Sequence, residues 1–139
     1  MSAPYLLWCD LETTGLHVHE GDVILEAAFK LTDLETANTP WKYSKVLASS
    51  FTIEEQLKKN KFVLDMHTKN GLLEECRKSK GTIEEIEAEV ITALDWFEGT
   101  FDIKSTDILL SGSTVHFDKG LLEWFDPDIV TSINYRIHE

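Results

Sequence analysis

Between Tyr5 and Asp10 the chain reads YLLWCD, an almost wholly apolar run that stops at a carboxylate. A run so short and so apolar suits a strand covered on both faces, and falls far below the roughly 18 apolar residues of a membrane helix. Glu12 follows two residues after Asp10, so in extended backbone the two carboxylates point to the same side. Neighbouring carboxylates repel, and one is driven towards protonation unless a cation intervenes. Magnesium and manganese are hard ions that favour carboxylate oxygen and water, and would resolve the conflict. Two acids at this spacing also suit the opening of a solvated turn, so spacing alone leaves both readings open.

The rest of the chain reads as one domain spanning residues 1–139. It has 139 residues, 42% hydrophobic and 27% charged, enough to build a single core without disulfide or zinc. No repeat, low-complexity tract or linker-like stretch divides it. With 13 Lys and Arg against 25 Asp and Glu, the formal charge is −12. That excludes coating of long nucleic acid by phosphate neutralisation, which Lys and Arg carry. Work on a polyanion must be local, with metal ions supplying the positive charge. Cys9 and Cys76 have neither pair-motif nor zinc-ligand spacing, and the opening residues lack a secretory signal pattern. Reduced thiols and a cytoplasmic location are expected.

Hydropathy and punctuation predict strands over 5–10, 23–32 and 45–51, close enough in sequence to pair as antiparallel neighbours. Helices are expected at 53–60, at 70–78 and, most clearly, at 82–97. There Ile83, Ile86, Val90, Leu94 and Phe97 recur at helical spacing, Thr82 and Glu85 fit a capping box, and Gly99 marks the stop. A fourth strand at 107–110, a short helix at 118–125 and a final strand at 129–137 follow. Strands first, then alternating helix and strand, indicate an α/β or α+β mixed sheet. Several conspicuous residues take plain readings. His17 and His19 belong to a solvated loop, and Trp41, Trp96 and Trp124 to core or rim packing. Glu84, Glu85, Glu87 and Glu89 form the outer face of their helix, and Cys9 is a buried thiol.

The string WCDLETTGL (Trp8 to Leu16), followed by Ile24-Leu25-Glu26-Ala27-Ala28, resembles the first motif of the DEDD 3′–5′ exonuclease superfamily. Within it the opening is most similar to the oligoribonuclease family's W-x-D-L-E-x-T-G-L. Met66-His67-Thr68-Lys69-Asn70-Gly71-Leu72 resembles the family's T-H-x-x-S-G-L. Ser111-Gly112-Ser113-Thr114-Val115-His116-Phe117-Asp118 resembles its second motif, G-N-S-I-x-x-D, and Tyr135-Arg136 its Y-R pair. The similarity runs through nearly the whole chain in the family's order.

This resemblance implies a ribonuclease H-like fold and a 3′–5′ exoribonuclease that hydrolyses very short RNA to nucleoside 5′-monophosphates. Asp10, Glu12 and Asp118 would be the catalytic, metal-binding acids of a site for two Mg²⁺ or Mn²⁺ ions. Leu16 would be the wedge between terminal bases, and Phe62, where the family keeps a tryptophan, a stacking surface. His67 and Ser113 would complete a short substrate pocket. Short RNA is the implied partner, and members of the family form homodimers. The third motif, H-x-x-x-x-D, is missing, so the general base and fourth acid have no counterpart. His138 and Glu139 are adjacent and would point to opposite faces of a strand. The chain therefore reads as a C-terminally shortened form of a longer enzyme, as one that receives the missing helix from elsewhere, or as a nucleotide-binding module with little turnover.

Overall fold

The apolar run near the N-terminus becomes the middle strand of a five-stranded sheet. A computed structural model of the chain describes residues 5–15, 17–33, 38–101, 108–112 and 134–138. Strand β1 (Tyr5–Thr13) pairs antiparallel with β2 (Ile24–Asp33), which pairs antiparallel with β3 (Trp41–Val46). On its other side β1 runs parallel to β4 (Ile108–Ser111), and β4 parallel to β5 (Asn134–His138). The sheet order is β3-β2-β1-β4-β5. This is an α/β mixed sheet flanked by helices, of the ribonuclease H-like type expected from the sequence.

Alternation along the strands sends Leu7, Cys9 and Leu11 of β1, with Ala27, Phe29 and Leu31 of β2, to one face. That face is closed by helix α4 (Ile83–Phe101), whose Ile86, Val90, Leu94 and Phe97 are buried against it. The Tyr5 ring meets Phe97 edge-on at 4.8 Å between centroids. Thr82 Oγ1 caps α4 by accepting from Glu85 N at 3.2 Å, but the Glu85 carboxylate turns to Lys45 at 3.3 Å. Half of the expected capping box is present. The helix also runs through Gly99 to Phe101, because glycine weakens a helix without ending one.

Three shorter helices, α1 (Phe51–Lys58), α2 (Lys61–Lys69) and α3 (Leu72–Lys78), build a second apolar cluster of Leu57, Leu72, Leu73 and Cys76 around Leu25. A register shift in the β1–β2 pairing makes this possible. Glu12 faces Glu26 but Thr13 faces Ile24, so Leu25 is an extra residue and leaves the α4 side.

The strand expected at 45–51 lies earlier, at Trp41–Val46. Beyond it Leu47 forms an isolated bridge to Gly81, and Ser50 opens α1 as its N-cap, its hydroxyl accepting from Ile53 N. The helix expected at 53–60 accordingly starts at Phe51. Helix α2 was not anticipated. Asn60 caps it, and Gly71, with φ 83°, separates it from α3, which begins two residues later than expected. The helix expected at 118–125 and Trp124 lie outside the described residues. As expected, Trp41 is half-buried against the core and Trp96, 47% exposed, lies at the rim beside Phe97. No helix among the described residues is long and apolar enough to cross a membrane.

Candidate active site

The face of the sheet opposite α4 is built in rows by the strand register. Glu12, Glu26 and Val46 form one row across β1, β2 and β3; Asp10, Ala28 and Ser44 form the next; Trp8, Lys30 and Lys42 the third. Asp10 is exposed and Glu12 and Glu26 half-buried. The expected pairing of Asp10 and Glu12 on one face therefore holds. The register adds Glu26, directly across from Glu12, to which the sequence reading gave no role.

Like charges placed opposite each other on paired strands destabilise the sheet. The effect is visible in Glu26, whose carboxyl is held above its usual range. Burial is the largest cause, followed by the negative charges of Glu75, Glu12 and Asp10, while His67 acts in the opposite sense. Among the described residues no three His, Cys, Asp or Glu side chains close into a metal-binding cluster. Asp118, the third expected acid, lies outside the described residues, as do Leu16 and Ser113. Asp10 and Glu12 nonetheless fit the divalent ions implied: they are oxygen donors on one sheet face, beside the further negative charge of Glu26.

Immediately after these acids the chain turns through a loop centred on Asp22. Its Oδ1 accepts from Thr14 Oγ1 at 2.8 Å and from Gln56 Nε2 at 3.1 Å; its Oδ2 accepts from the His17 N–H at 2.8 Å. Burial alone would raise this carboxyl, but the bonds from His17, Gln56 and Thr14 outweigh it and hold the group below its usual value. Gly15 is required here, because a Cβ would collide with the Asp22 carboxylate, with Cγ only 2.8 Å away. Gln56 also ties α1 to the loop. The sequence reading gave Asp22 no role.

Helix α2 carries both expected substrate residues that the structure describes. Phe62 is 78% exposed, free to offer a ring to a ligand. His67 is wholly buried, and its Nε2 donates to the Thr13 carbonyl at 2.8 Å. Since a carbonyl only accepts, the proton sits on Nε2. Nδ1 has no hydrogen-bond partner among the described residues. His67 thus fastens α2 to the residue that follows Glu12. His17 and His19 are exposed, as expected of a loop. Cys9 and Cys76 are both buried thiols, and burial pushes Cys76 up to about 11, far from reactive.

No family model matches the chain. Among curated proteins it is 31% identical over 133 residues to a probable oligoribonuclease of Schizosaccharomyces pombe, covering 95% of this chain and 50% of that protein. It is 37% identical over 137 residues to the oligoribonuclease of Wigglesworthia glossinidia brevipalpis, covering 94% of this chain and 66% of the relative. To the oligoribonuclease of Pseudoalteromonas atlantica it is 31% identical over 139 residues, covering 98% and 71%. The chain thus spans between half and about seven-tenths of the length of these relatives. With similarity running through almost all of its residues, the chain belongs to the oligoribonuclease family of DEDD exonucleases.

Proposed function

We propose that this chain carries the site of a 3′–5′ exoribonuclease that hydrolyses very short RNA to nucleoside 5′-monophosphates. The observation that carries the reading is the placement of Asp10 and Glu12 on one open face, beside Glu26, in a chain of this family. Asp10 and Glu12, with Asp118, would hold two Mg²⁺ or Mn²⁺ ions. When bound, such a pair supplies a water nucleophile near neutral pH and charge stabilisation for the leaving 3′ oxygen. The chain's own residues do the positioning. His67 fixes the backbone beside Glu12, and the exposed Phe62 ring offers a stacking surface that any base can use. Leu16 and Ser113 would separate the terminal bases and contact the substrate, as the family resemblance implies. The buried thiols suit a cytoplasmic setting, and a second copy of the chain is the expected partner besides RNA.

The alternative is a nucleotide-binding module of the same fold with little turnover. Incubation with a dinucleotide and Mn²⁺ separates the readings. The enzyme reading expects metal-dependent loss of the dinucleotide, abolished by Asp10→Ala. Saturable binding without product supports the module instead. A chain whose melting responds to neither metal nor dinucleotide would overturn both, because any native-state ligand stabilises by mass action.

A further inference from the structure

Beyond the acidic rows, the same sheet face holds a cleft of about 680 Å³, within the usual size of small-molecule sites, lined by Trp8, Asp10, Ala28, Lys30, Lys42 and Ser44. Lys30 and Lys42 face each other across β2 and β3, and both are exposed. Lys30 Nζ stands 5.3 Å from the Trp8 ring centroid.

In a chain of charge −12, a cross-strand pair of like cations without acidic partners is unusual. Among the described residues neither ammonium enters an ion pair, whereas Lys45, on the opposite face of β3, is bound to Glu85. Lys42 alone would be explained by protection of an edge strand. Lys30 would not, since β2 lies between β1 and β3. The lysine row sits two residues along the strands from the Asp10 row, a separation of about 6.8 Å. The small Ala28 side chain keeps the floor between them low.

We propose that this cleft is a phosphate-binding site for a nucleotide, in which Lys30 and Lys42 take the phosphate and the remaining volume takes the nucleoside. Its ligand rests on the proposed activity on short RNA, but binding here needs no metal and no hydrolysis, so the two can fail separately. The phosphate comes either from a released nucleoside 5′-monophosphate or from the phosphodiester of a short RNA.

The test is titration calorimetry in EDTA with AMP, adenosine and the dinucleotide ApA. AMP is expected to bind and adenosine not to. ApA binding as well as AMP assigns the cleft to a diester, and AMP binding alone to the product; both support the site. K30Q/K42Q should weaken AMP at least about ten-fold while Tm does not fall, since both side chains are exposed and removing them relieves a like-charge pair. Equal affinity for adenosine and AMP, or unchanged affinity in K30Q/K42Q, would overturn the proposal.

Discussion

The two faces of the β1–β2–β3 sheet are made from alternate residues of the same strands, yet they follow opposite rules. Towards α4, Leu7, Leu31, Val90 and Phe97 are 0% exposed, and the face gains its stability by excluding water. On the other face, acids oppose acids and lysine opposes lysine across neighbouring strands. A sheet selected for stability alone would not place like charges in register. The closed face secures the strands, and that lets the open one keep charge in fixed positions.

Substitutions on the two faces should therefore differ in kind. Phe97→Ala empties a closed position and should lower unfolding free energy by about 3–5 kcal/mol in urea titration. Lys42→Ala, on the open face, should stay within about 0.5 kcal/mol. Similar losses from both would end the distinction. Next in size is Asp22→Ala at the loop joining β1 to β2, which strands donors from Thr14, His17 and Gln56 and should cost about 2–3 kcal/mol. Because the folded Asp22 carboxyl lies below its usual value, its contribution is full above the unfolded pKa near 3.8 and is lost as pH falls through the folded one. Acid unfolding curves of the wild type and the variant should therefore converge at low pH. Glu26 behaves in reverse. Its raised carboxyl means stability falls as pH rises from 4.5 through the folded pKa. In metal-free buffer Glu26→Gln should raise the unfolding free energy at neutral pH, by an amount on the order of 0.2–1 kcal/mol, and flatten that slope. A destabilised Glu26→Gln protein would show that Glu26 is held by bonds rather than crowded by charge.

Much of the closed face was legible in the sequence, because apolar periodicity reports burial directly: the spacing of Ile86, Val90, Leu94 and Phe97 predicts the stripe that α4 buries. The pairing of Asp10 and Glu12 was legible for the same reason, since strand alternation is local. Glu26, Lys30 and Lys42 were not, because their meaning lies in cross-strand register, which depends on the extra residue at Leu25. Asp22 was missed since a buried carboxylate that organises a loop looks, in sequence, like any Gly-Asp turn. The strand expected at 45–51 failed in its second half, where Ser50 is the N-cap of α1.

The bond from His67 to Thr13 has a mechanical consequence. Through it one imidazole proton ties α2, which carries the Phe62 ring, to the strand that carries Asp10 and Glu12, alongside the apolar packing of Val63 and Leu64. Replacing the histidine with a residue of equal bulk but no donor would leave the core filled and that tie cut.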